Sequence, residues 1–203
     1  EFQCYVFGRI MKYFILFFIY FTLTAQNSEN KEMVKISGKN FLMDITEVTA
    51  EQFENCVKAK QCDKKNYKTF EENNLCNYNK NKNHPMNCIT WYGSDEFCKW
   101  TEKRLPFDDE WQYAARGGEN FNHSGSNNTK EVAWFAENAK KKTHEVKLKK
   151  ANKYGLYDMN GNVWEYSATS HKLSEMRYSM NGGGFNNDKT MVEIISQIKV
   201  IPE

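Results

Sequence analysis

Cysteine is the residue through which this 203-residue chain could do redox or metal chemistry, and it has six: Cys4, Cys56, Cys62, Cys76, Cys88 and Cys98. No two are spaced as Cys-x-x-Cys, which argues against a zinc site. In an oxidising compartment such a cluster forms disulfides. Cys4 precedes a long apolar run and stands apart. The other five are odd in number, so at least one thiol is expected to lack a partner within the chain. Three further segments concentrate aromatic, polar and glycine residues. They are His84-Pro85-x-x-Cys88-x-x-Trp91; Lys103-Arg104-Leu105-Pro106 followed by Glu110 to Gly118 (EWQYAARGG); and Gly155 to Tyr166 (GLYDMNGNVWEY). Each has a structural reading. Tyr and Trp bury large areas and keep a polar handle. Arg104 and Arg116 can make forked bonds to carboxylates or carbonyls, and the glycines permit the positive φ of tight turns.

These segments need elements to hold them. Met33 to Met43 alternates apolar residues around Gly38, which predicts strand, turn and strand. Glu47 to Ala59 predicts a helix capped by Thr49, with Gln52 three residues on and Phe53, Cys56 and Val57 on one face. Lys60 to His84 is polar, without period, and predicts a long cross-linked loop. Trp91 to Glu102 predicts a second helix with Ser94 as its cap. Phe107 to Arg116 predicts a third, with Asp108 and Asp109 at its positive end and Gly117-Gly118 ending it. Ala139 to Lys153 is basic and reads as a solvated loop. A final β-branched run closes the chain. One domain with sparse regular structure is the economical reading.

The net charge of +2 gives no reason to invoke nucleic acid, and the 15% aromatic content marks a folded chain. Residues 11–25 begin Met11-Lys12 and continue apolar from Tyr13 to Ala25, too short for the ~20 residues of a spanning helix. They read as a signal peptide cut after Ala25, with an uncleaved anchor as the alternative. Residues 1–10 are set aside as extraneous to the fold. The domain is then 31–203, secreted or periplasmic, with no membrane span after signal cleavage.

The segments KRLP, EWQYAARGG and GLYDMNGNVWEY, in this order and after MVKISGKNFLM and EVTAEQF, closely resemble the sulfatase-modifying-factor family, which includes the formylglycine-generating enzymes. The resemblance runs from about Met33 to Phe185. It implies an α+β, C-type-lectin-like domain. It also implies a structural Ca²⁺ on Asp158, Gly161, Val163 and Glu165, since calcium takes carboxylate and carbonyl oxygens from tight loops. The alternative is that Asp158 and Glu165 only bond turn amides. Family oxidases hold copper(I) on two cysteines just after a Gly-Gly-Ser-aromatic turn, and thiolates suit that ion. Here the matching Gly183-Gly184-Phe185 is followed by Asn186 to Met191 and no cysteine. The family's closing Gly-Phe-Arg segment is likewise not found, and Cys98, whose counterpart pairs near that terminus, is expected to be unpaired. Cys56, Cys62, Cys76 and Cys88 are then candidates for two disulfides in any of three pairings.

Two functions compete. One is an exported module, without catalytic residues, that binds a protein, peptide or glycan. The other is an oxidase converting a sulfatase cysteine to formylglycine, with Cu(I) as its cofactor. Sulfoxide synthases of the same fold carry a His-rich domain that is not seen here, and rank last.

Overall fold

The structure, a computed structural model, describes residues 3–7, 33–168 and 178–200. The signal-peptide segment 11–25 lies outside the described residues. Strand β2 (Met33–Lys35) turns through Gly38 into β3 (Phe41–Asp44), as the alternation around that glycine predicts. The other edge of β3 is not free. Strand β1 (Tyr5–Phe7) pairs antiparallel with it, giving the order β1-β3-β2. The segment set aside from the sequence is thus part of the fold where it is described.

Helix α1 (Ala50–Lys58) starts where its cap dictates. Thr49 Oγ1 accepts from Gln52 N at 3.2 Å, and Gln52 Oε1 accepts from Thr49 N at 2.8 Å. Two donors that a helix start leaves unpaired are so satisfied, and Glu47 falls outside the helix. Helix α2 (Trp91–Trp100) is capped by Thr90, one turn earlier than Ser94, which lies inside the helix and donates back to the Thr90 carbonyl. Helix α3 (Asp108–Arg116) ends at Gly117 in the left-handed conformation. A short turn, α4 (Thr129–Val132), follows. The second sheet is an antiparallel trio, β4 (Glu165–Ser167), β5 (Tyr178–Asn181) and β6 (Gln197–Val200), with β5 central. Among the described residues no helix is long and apolar enough to cross a membrane.

Two buried clusters join these pieces. Phe53, Tyr67, Met86, Phe97 and Leu105 form one between α1 and α2. Met43, Trp111, Leu156, Met159 and Ile194 form the other around α3 and β3. The loop from Lys60 to His84 is tied, as expected, by disulfides. Of the three open pairings the chain adopts Cys56–Cys62 and Cys76–Cys88. The expectation for Cys98 is corrected: it bonds Cys4. Sequence reasoning missed this because a bridge across a separation of 94 residues depends on β1 docking at β3. The basic loop Ala139 to Lys153 is irregular, but it is not merely solvated. Thr143 is buried, donates to Asn77 Oδ1 at 3.2 Å and lies 2.8 Å from His84 Nδ1.

Candidate functional site

The segment Gly155 to Tyr166 coils before it enters β4. Asp158, Gly161 and Asn162 all have positive φ, at 55°, 74° and 56°. Two neighbours pin the coil. Gly161 N donates to Gly182 O, and Asn162 N donates to Trp134 O, each at 2.8 Å. A Cβ on Gly161 would lie 2.2 Å from the Trp134 carbonyl oxygen, so only glycine fits there.

The coil brings together acids from distant parts of the sequence. Glu47, Asp158 and Glu165 are all essentially buried. Glu47 Oε2 accepts from Asn162 Nδ2 at 2.8 Å, and Glu47 Oε1 accepts from Val163 N at 3.2 Å. Asp158 Oδ2 accepts from Lys147 N at 2.6 Å, and Glu165 Oε2 accepts from Trp111 Nε1 at 2.8 Å. The second oxygens, Asp158 Oδ1 and Glu165 Oε1, are buried with no hydrogen-bond partner. None of the three acids makes an ion pair among the described residues.

Burial disfavours their charged forms. It raises Glu165 to about 8 and Asp158 to about 6. It raises Glu47 well above the ordinary carboxylate range, and the neighbouring charges of Asp158 and Glu165 add to that. Burial thus biases the bare site toward neutral acids, and a cation would favour their ionised forms. The unpartnered oxygens of Asp158 and Glu165 fit the carboxylate half of the expected calcium set. No three His, Cys, Asp or Glu side chains among the described residues group as a metal site. A cation here would therefore also need the main-chain carbonyls of Gly161 and Val163. Glu47 was not singled out by sequence, since it sits outside the motif and its burial depends on the approach of residue 162, 115 positions later.

Around Phe185 the glycine turn leans on the same coil, with Phe185 N donating to Asn162 O at 2.8 Å. Beyond it, Gly184 N donates to Asn187 Oδ1 at 2.8 Å. Asp188 Oδ1 accepts from Thr190 N and Met191 N. The segment after the glycines is thus a polar turn that satisfies its own backbone. All six cysteines are in disulfides, so none remains as a thiol.

A separate cavity of about 430 Å³ is lined by Ile89, Trp91, Tyr92, Tyr166 and Tyr178, together with Lys68. Trp91 begins α2 and stacks on Tyr178 of β5, with ring centroids 3.9 Å apart and planes 15° from parallel. Tyr92 meets Trp91 edge-on at 5.6 Å. Trp91 Nε1 donates to Ser167 O at 2.9 Å, and Tyr166 Oη donates to Ile89 O at 3.4 Å. The indole is thus held in place from both sheet and helix. Apolar walls with a few fixed polar groups are the usual make-up of a ligand pocket.

Small sheets, short helices and long cross-linked loops define a mixed, C-type-lectin-like domain. The same architecture is seen in Treponema denticola variable protein 1, with a TM-score of 0.61 at 20% identity over 84% of this chain and 86% of that one. The chain belongs to the family of the sulfatase-modifying factor enzyme 1-like domain, whose sequence model matches residues 20–203. It is 32% identical over 104 residues to the inactive C-alpha-formylglycine-generating enzyme 2 of Bos taurus, covering 45% of this chain and 35% of that protein. It is 30% identical over 125 residues to the formylglycine-generating enzyme of Mus musculus, covering 53% of this chain and 34% of that protein. The chain thus spans about a third of the length of these two relatives.

Proposed function

We propose that this chain is an exported, non-oxidase member of its family, that it binds a peptide or glycan in the aromatic groove around Trp91, and that Ca²⁺ steadies its coil. Its relatives include a formylglycine-generating enzyme and one named as inactive, so likeness does not choose between them. The cysteines carry the choice. A copper(I) oxidase needs a thiolate pair; Cys56–Cys62 and Cys76–Cys88 are bridged and Asn186 to Met191 forms a polar turn, so an exported chain without Cys4 has at most one thiol, Cys98. The two bridges Cys56–Cys62 and Cys76–Cys88 also suit an exported protein.

The groove offers what a binding module needs. Flat aromatic faces take the apolar face of a sugar ring or a side chain, and Lys68, Asn73 and Thr90 also line it. Calcium, when bound, supplies positive charge that lets buried acids ionise. Asp158, Gly161, Val163 and Glu165 would hold it. The coil it steadies connects directly to β4, which carries Tyr166 of the groove.

The test has two arms. In the first, the protein is incubated with copper(I), O₂ and a Cys-x-Pro-x-Arg peptide and followed by mass spectrometry. No loss of about 18 Da is expected, and such a loss over many turnovers would establish the oxidase instead. In the second, peptide and glycan arrays are probed with the wild type and with Trp91→Ala. Binding that the variant loses is expected; a full panel bound by neither, or equally by both, removes the groove from the reading.

A further inference from the structure

The seat of β1 has the form of a receptor. Asp44, at the end of β3, is a buried carboxylate held on one oxygen by Lys103 Nζ at 2.7 Å. Its other oxygen accepts the main-chain N–H of Cys4 at 3.2 Å, and its own N–H donates to Cys4 O at 3.2 Å. The sulfur of Cys98, fully buried on α2, closes the contact as a disulfide. Beyond Cys4, Tyr5, Val6 and Phe7 pair in turn with Met43, Leu42 and Phe41. These contacts select an extended segment with a cysteine at its head, and mostly through the main chain.

The present occupant fits this seat imperfectly. Gln3 is buried, and both polar atoms of its amide lack a partner. A buried amide without hydrogen bonds is costly. The order of segments along the chain adds a second difficulty. Lys12 and the apolar run that follows it read as an export signal, and residues before such a run stay on the cytoplasmic side while those after it cross. Cys4 would then be left on the opposite side of the membrane from Cys98. That second difficulty rests on the export reading; the geometry of the seat does not.

We propose that the edge of β3 beside Asp44 and Cys98 is a strand-acceptor site. It takes, in trans, an extended segment headed by a cysteine, pairs it with β3, and locks it through a disulfide to Cys98. This is strand addition to a sheet edge, in which main-chain bonds give affinity and side-chain seats give selectivity. Residues 4–7 display the backbone path of the ligand. The exchange balances without an added oxidant. The incoming thiolate attacks the Cys98 sulfur, a new sulfur–sulfur bond forms, and Cys4 leaves as its thiolate.

The probe is a synthetic peptide with the sequence of residues 1–9, tested against a scrambled peptide that keeps one cysteine and against a version with proline in place of its valine. In antiparallel pairing the residues that exchange both bonds alternate, so the valine, two on from the cysteine, carries a ladder donor that proline removes. The acceptor is the full-length chain carrying Cys4→Ser, with each peptide supplied as its mixed disulfide with glutathione. Cys98 attacks the peptide sulfur and glutathione leaves. Wild-type protein with the reduced peptides forms a second arm, in case the variant misfolds. Intact mass and peptide mapping read the adduct. Adduct at Cys98 forming at least ten-fold faster with the cognate peptide than with either control is expected in both arms. Equal rates for all three peptides would reduce the site to ordinary thiol exchange. No adduct in the wild-type arm, with Cys4–Cys98 intact, would show that the seat is closed to any strand but its own. Either outcome overturns the proposal, and neither bears on the groove around Trp91.

Discussion

Replacing Glu165 by glutamine isolates one strongly strained buried acid of the coil. The acid is fully buried, Trp111 Nε1 bonds one of its oxygens, and the other has no partner. Burial raises its pKa from an ordinary 4.5 to about 8. The folded state therefore binds this proton more tightly than the unfolded chain does. The stability it contributes is complete below about 4.5 and is lost as pH rises through about 8. At about 1.4 kcal/mol for each pH unit in that window, the ceiling is ~5 kcal/mol. For a chain of this size that corresponds to a fall in Tm of up to roughly 10–20 °C. With a chelator present, the wild type should lose Tm steadily between about pH 5 and 8. Glutamine is uncharged and keeps an oxygen for Trp111, so Glu165→Gln should make that fall distinctly shallower. What remains comes from Asp158, raised to about 6, and from Glu47, raised well above the ordinary carboxylate range. Millimolar calcium should flatten the wild-type curve and leave that of the variant unchanged. Thermal melts by circular dichroism across this pH range, with chelator or calcium, provide the measurement. A flat wild-type curve in chelator, or an equally steep one for Glu165→Gln, would refute the account of buried, unpaired acids. Calcium that shifts neither protein would remove the ion.

Thr49→Ala removes the N-terminal cap of α1 and should cost about 1 kcal/mol, read as a Tm lower by roughly 2–4 °C. Arg104→Lys breaks a two-pronged contact with Glu110, at 2.8 and 2.7 Å, together with a bond to the Leu105 carbonyl; a loss of roughly 1–2 kcal/mol in urea unfolding is expected, and lysine should rescue less than half of the loss seen with alanine. Changing both Cys76 and Cys88 to serine opens the loop they close and should cost roughly 3 kcal/mol in the same assay, with limited proteolysis cutting first between them.

Helices α1 to α3 were legible because their signals are local. Thr49 with Gln52, and Gly117 after Arg116, act within one turn of chain. The cap of α2 was misread by four residues because Thr90 and Ser94 are both cap formers, and only the bond from Gly93 N to Thr90 Oγ1 separates them. Of the candidate site, Asp158 and Glu165 were legible from the order of the motifs. Glu47 was not, because it has no special neighbour in sequence and becomes part of the site only through Asn162 and Val163. The groove was half legible. Trp91 stood out beside its motif, but its stacking partner Tyr178 comes from β5, far along the chain.

The sequence by itself determined the family, the type of each main helix and the coil at Asp158 to Glu165, since these depend on residue type at short, fixed spacing. Tertiary structure alone decided which cysteines meet, which acids share a buried site and which rings form a groove. Those pairings depend on where distant segments dock, and a single docked strand, β1, was enough to give Cys98 a partner that the cysteine count had denied it.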